Sequence, residues 1–230
     1  MIIQIYAFTD IKVILQAVAA GVDQIGFVAG KYDLVHGELD FTTAKAFARE
    51  IPKPARSVAL TMSVDVNEIL RMAEIVHPDI LHISSETGAV GFDQLTEIRT
   101  RLDRSIKLMK AIDVTDRTSI DTAVHFSSVA DILLLDTKVK GFPGVGATGK
   151  THDWNISREI VALSRIPVIL AGGLNARNVQ AAILSVNPWG VDSNTSTNIP
   201  GDPLKKDIIR IREFTKAVRS TNQGEQREIS

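Results

Sequence analysis

The sequence predicts an α/β protein built as a single (β/α)8 barrel, and three observations carry that expectation. Short β-branched apolar segments recur eight times, each followed by a helical pattern, the alternation that builds a parallel sheet covered by helices. The 230 residues match the length that one such barrel needs. Several strand segments, such as Ile132-Leu133-Leu134-Leu135, are unbroken apolar blocks, as expected where the barrel interior packs one face and helices cover the other. An open doubly wound sheet is the alternative, because periodicity counts βα units without showing that the first strand pairs with the last.

In chain order, strand 2–6 (Ile2-Ile3-Gln4-Ile5-Tyr6) leads to a helix at 11–20, and strand 24–28 to a helix at 42–50. Strand 56–62 precedes a helix at 65–76 with Asp65 as its N-cap, and strand 80–84 precedes a helix at 92–103. Strand 106–111 is followed by a helix at 117–125, and strand 131–136 by a long glycine-rich connection and a helix at 152–164. Strand 166–171 turns through Gly172 and Gly173 into a helix at 175–186 that Asn175 caps, and strand 190–194 precedes a last helix at 203–217. The barrel is expected over residues 1–218, and residues 219–230 form a polar tail with too little apolar surface to require packing.

Twenty-six basic against twenty-seven acidic residues supply no field for a nucleic-acid backbone or an anionic membrane, so neither is an expected partner. No apolar run approaches the roughly 20 residues that cross a bilayer, and no basic leader precedes the first strand, so a cytoplasmic location is expected. The absence of cysteine removes disulfides, thiolate nucleophiles and cysteine-held metals. The five histidines are scattered and no compact carboxylate set specifies a cation, so neither a metal nor another cofactor is expected.

Asp136 closes a buried strand and opens a loop, which is where a barrel enzyme keeps its chemistry. Its two readings are a proton-transferring acid and a strand-end carboxylate that accepts local N–H groups. Gly172 and Gly173, entering a helix, allow close backbone approach to an anion. The run Asp192-Ser193-Asn194-Thr195-Ser196-Thr197 brings Asn194, Thr195 and Ser196 to the same mouth, where loops seven and eight of such barrels bind phosphate. Gly144 to Thr151 matches a nucleotide-binding loop, but it stands far from the preceding strand and reads as a chance match in a permissive sixth loop. Trp154 reads equally as an aromatic pocket wall or a helix support, and His82 as a proton-handling group or a hydrogen-bonded structural histidine.

Across nearly its whole length the chain resembles phosphoribosylanthranilate isomerase. The resemblance rests on Gln4-Ile5-Tyr6-Ala7-Phe8-Thr9, Gly26-Phe27-Val28, Leu81-His82-Ile83-Ser84 and Leu134-Leu135-Asp136-Thr137 in order. Gly146-Ala147-Thr148-Gly149 with Asp153-Trp154, and Leu170-Ala171-Gly172-Gly173-Leu174-Asn175, complete it. It implies a TIM barrel of the ribulose-phosphate-binding type and an aldose-ketose isomerisation of a phosphoribosylated arylamine in tryptophan biosynthesis. It also implies a phosphorylated small-molecule substrate and a monomer or homodimer.

The family's acid falls on Asp136 and its cysteine base on Tyr6, whose reference pKa near 10 makes it a poorer base than a thiol near 8.5. The family's arginine for the aryl carboxylate is missing from residues 29–36, leaving Lys31 and His36 as substitutes without its bidentate geometry. His82, Gly146 and Thr148 complete the substrate-binding set, and Gly172, Gly173, Asn194, Thr195 and Ser196 the phosphate set. Two other functions compete. One is a phosphosugar lyase or epimerase drawing on Lys107 or Lys110 as a Schiff-base amine, and the other a catalytically silent phosphosugar-binding protein.

Overall fold

Strand β1 (Ile2–Ile5) pairs in parallel with β2 (Gln24–Ala29) through Gln4 and Gln24, and with β9 (Gly190–Ser193) through Gln4 and Asp192. These pairings close the sheet and remove the open-sheet alternative. Between them run β4 (Arg56–Thr61), β5 (Ile80–Ile83), β6 (Lys107–Asp113), β7 (Ile132–Asp136) and β8 (Val168–Leu170), all parallel, while β3 (Glu38–Leu39) adds a short pairing to β2. The computed structural model describes residues 1–137 and 151–225, with side chains to residue 221.

The helices are α1 (Ile11–Ala19), α2 (Phe41–Glu50), α3 (Val66–Val76), α4 (Phe92–Arg101), α5 (Thr118–Phe126), α6 (Trp154–Leu163), α7 (Val179–Val186) and α8 (Ile208–Glu225). Aspartates cap five of them. Asp10, Asp40, Asp65, Asp153 and Asp207 each accept an N–H of the first turn that the helix itself leaves unpaired.

Two expectations for the last units need correction. Asn175 does not cap α7: its side chain takes the Arg177 N–H in a turn, and Asn178 is the N-cap of a helix that starts at Val179. The last helix does not begin at 203, because Asn198–Ile199 (β10) and Asp202–Lys206 (β11) form an antiparallel hairpin and α8 starts at Ile208. Pro200-Gly201 makes its turn, with Gly201 at φ +81°. Helix α8 runs past the expected barrel end at 218 to Glu225, and residues 226–230 lie outside the described ones.

Alternation along each strand sorts two cores. Val58, Ile80, Met109, Ile132 and Ile169 fill the barrel interior, while Ile3, Ile25, Leu81, Leu108, Leu133 and Val191 pack outward against the helices. At the strands' N-terminal end a carboxylate device recurs. Asp23, Asp79 and Asp131 each stand just before a strand and accept a backbone N–H from the strand before it, at Ile3 (2.7 Å), Ser57 (2.8 Å) and Leu108 (2.8 Å). Each also pairs with a cation, Arg219, Lys53 and Arg99 respectively. The opposite end, with the strands' C-termini, is left for the site.

Candidate active site

Asp136 ends β7 and is buried at the mouth, where the Thr137 N–H donates to its Oδ1 over 2.6 Å. Burial pushes its carboxyl well above the usual carboxylate range, the Thr137 N–H opposes this, and Asp113, its register partner on β6, adds to it. Asp192 on β9 is a second buried carboxyl facing the same interior. Burial and the charge on Asp136 push it up as well, against the Gln4 amide, which donates to its Oδ1 over 3.1 Å, and Lys206. Two such carboxyls in low dielectric do not ionise together readily.

Tyr6 lies just past β1 with its Oη 2.6 Å from His82 Nδ1. Burial, helped by Lys110, pushes His82 down to about 3, so the imidazole is neutral and shares one hydrogen bond with the phenol through Nδ1. Its Nε2 is buried without a hydrogen-bond partner among the described residues. Burial and Asp192 push the Tyr6 hydroxyl well above its ordinary value, the wrong direction for a neutral-pH base. Its ring occupies the space a side chain at 26 would need, since a Cβ on Gly26 would lie 2.2 Å from Tyr6 Cδ1.

Two adjoining cavities meet at the carboxyls. One has an apolar wall of Val28, Leu60, Met62 and Leu134 facing Tyr6, His82, Asp136 and Asp192, with His36 at its edge. The other is lined by Gly172, Gly173, Asn194, Thr195 and Ser196, again with Asp136 and Asp192. The phosphate set expected from the sequence therefore converges. Gly172 and Gly173 adopt φ of +86° and +63°, and a Cβ at 172 would come within 2.5 Å of Thr137 Oγ1.

The serine hydroxyls tie the two loops together. Ser193 and Ser196 Oγ lie 3.0 and 2.6 Å from the Leu174 carbonyl, to which they can donate, and 2.7 Å from each other.

Lys31 is not part of the mouth: its ammonium donates to the Glu38 carbonyl, and the Glu38 carboxylate takes the N–H groups of residues 32–35. Gly146 and Thr148 lie outside the described residues, as does most of the Gly144 to Thr151 match. Trp154 packs, half-buried, on the helix-layer core and lines neither cavity. Lys107 is exposed and pairs with Asp131. Lys110 turns into the helix layer, its ammonium on the Ser85 carbonyl and over the Phe126 ring, so the Schiff-base reading loses its amine.

Two residues of the site escaped sequence reasoning as individuals, Asp192 and Lys206. Lys206, on β11, is buried and holds the eighth loop through the Asn194 carbonyl and side chain, both at 2.9 Å, and the Asn198 side chain at 2.5 Å. Burial pushes it down to about 7 while Asp192 draws it up. The alternation of β9 could have found Asp192, and the Pro200-Gly201 turn could have placed Lys206 on a strand.

Residues 4–217 match the family profile described as N-(5'phosphoribosyl)anthranilate (PRA) isomerase. The chain is 34% identical over 215 residues to N-(5'-phosphoribosyl)anthranilate isomerase 1 of Methanosarcina mazei, covering 88% of each. Among solved structures it is similar to phosphoribosyl anthranilate isomerase from Thermotoga maritima, with TM-score 0.79 and 26% identity over 96% of this chain and 100% of that one. A phosphoribosyl anthranilate isomerase in complex with reduced 1-(o-carboxyphenylamino)-1-deoxyribulose 5-phosphate shares the fold, with TM-score 0.77 and 24% identity over 96% and 100% of the chains. No helix among the described residues is long and apolar enough to cross a membrane.

Proposed function

The chain belongs to the N-(5'-phosphoribosyl)anthranilate isomerase family, and on that premise we propose that it converts a phosphoribosylated arylamine from its aldose-derived to its ketose-derived form. The observation that carries this reading is the placement of Asp136 where a polar, glycine-lined cavity meets an apolar one. A phosphate held by the loops around Gly172, Gly173 and residues 194–196 puts the sugar beside Asp136, and the aryl group lies along Val28, Leu60 and Met62. Asp136, protonated because it is buried, delivers its proton to the ring oxygen as the ring opens.

The phosphate dianion works in the same direction, since added negative charge raises the proton affinity of both carboxyls. Among the described residues His36 is the nitrogen-bearing side chain at the aryl edge, and it lacks an arginine's bidentate grip on a carboxylate. Tyr6 lines the mouth and positions the ring of the sugar. The reaction fits a tryptophan-biosynthetic enzyme acting in the cytoplasm as a monomer or homodimer.

A silent phosphosugar-binding barrel is the second reading, and the observation favouring it is the Tyr6 hydroxyl, bonded to His82 where the family's base would stand. Direct assay of the purified protein for phosphoribosylanthranilate turnover separates the two. Turnover that falls by roughly 10²–10⁴ in Asp136→Asn is expected for the isomerase. Absence of turnover in a folded protein that binds inorganic phosphate supports the silent barrel.

A further inference from the structure

We propose that Asp192 is the catalytic base, taking the proton from C2 of the sugar while Asp136 serves as the acid. This assignment rests on the isomerase reading and replaces the role that position 6 holds by resemblance. The reaction needs two groups on one substrate, and among the described residues Asp136 and Asp192 are the titratable side chains that line both cavities. A substrate with its phosphate against Gly172 and its aryl group against Leu60 passes between them.

The surroundings of Asp192 suit a base: burial and the Asp136 charge raise its proton affinity, and two neighbours support the carboxylate when it forms. Gln4 reaches across the β1–β9 pair to hold one carboxyl oxygen, and Lys206 supplies a positive charge from beneath the eighth loop. The surroundings of Tyr6 do the reverse. Its hydroxyl is engaged with His82 at 2.6 Å, its ring is clamped over Gly26, and loss of the proton would place a phenolate in a buried site beside Asp192.

The steps balance. Asp136 gives a proton to the ring oxygen as the C1–oxygen bond breaks and the nitrogen lone pair forms a C1–nitrogen double bond. The Asp192 carboxylate takes the C2 hydrogen as a proton, the C2–H electron pair becomes the C1–C2 double bond, and the C1–nitrogen pair returns to nitrogen. Asp136, now ionised, accepts the proton of the C2 hydroxyl as the ketone forms, and Asp192 returns its proton to C1. Both carboxyls end as they began.

The test compares Asp192→Asn, Asp192→Glu and Tyr6→Phe with the wild type in phosphoribosylanthranilate turnover, with thermal unfolding and inorganic phosphate binding measured on each. Asp192→Asn is expected to lose roughly 100-fold or more in kcat while phosphate binding persists, and Tyr6→Phe to lose at least tenfold less than that. Asp192→Glu is expected to recover part of the rate, and the isotope effect of deuterium at sugar C2 to grow in that variant as proton transfer becomes slower. Asp192→Asn within about tenfold of wild type, or Tyr6→Phe as damaged as Asp192→Asn, overturns the base assignment and leaves the isomerase standing. A folded wild type without turnover overturns the isomerase reading and this assignment with it.

Discussion

Asp79 and Asp192 stand at opposite ends of one barrel, and their environments drive their acid strengths in opposite directions. At the N-terminal end, burial raises Asp79, but Lys53, together with the Ser57 N–H and hydroxyl, outweighs it and holds the carboxyl below its ordinary value. At the mouth, burial and Asp136 outweigh the Gln4 amide and Lys206, and Asp192 rises. Three differences decide it: Asp192 is the more deeply buried, it faces the Asp136 charge, and it has fewer donors. One end uses aspartate to fix strands, and the other leaves it short of donors and able to hold a proton near neutral pH.

The comparison breaks most visibly in stability. Asp131→Ala strips partners from the Leu108 N–H and from Arg99 and Lys107, and is expected to cost about 1–3 kcal/mol in urea unfolding. A null effect would mean that the lower carboxylates do not brace the barrel.

Asp192→Asn is expected to act in the other direction. A carboxyl whose folded pKa is raised opposes folding once pH exceeds its unfolded value near 3.9, and the penalty grows toward the folded pKa. The variant should therefore gain on the order of 1–2 kcal/mol over wild type at pH 8, with the gain fading as pH falls to about 4. A variant no more stable at pH 8 than at pH 4, relative to wild type, would remove the claim that the mouth is strained by its charges.

The smallest effect is expected at the loops. Ser196→Ala removes one of two hydroxyls on the Leu174 carbonyl and leaves Ser193 in place, so KM should rise roughly threefold to tenfold with kcat nearly unchanged. A fall in kcat alone would place Ser196 nearer the reacting atoms than the cradle.

The barrel was legible because its signals are local. Strand and helix periods differ, and the eight βα units fall close to their observed bounds, from β1 at Ile2–Ile5 to β9 at Gly190–Ser193. Asp136 was legible for the same reason, standing at the junction of an apolar run and a glycine-rich loop.

Asp192 and Lys206 were not, because what distinguishes them is burial and the charges facing them, which arise only when β1 meets β9 and the hairpin brings Lys206 to the eighth loop. Lys31 misled for a related reason. A lysine beside the mouth in sequence is free to serve its own loop, and the Glu38 carbonyl claims it. Asn175 and Asn178 carry the same capping chemistry three residues apart, and the turn between them decides which one begins the helix.

The most direct measurement pairs Asp136→Asn with Asp79→Asn, following phosphoribosylanthranilate turnover and urea unfolding on the same preparations. The expected result is crossed: Asp136→Asn loses turnover without losing stability, and Asp79→Asn loses stability while its folded fraction turns over as wild type does. If Asp136→Asn turns over like wild type, Asp136 is not the acid, and the mouth carboxylates differ from those below only in their burial.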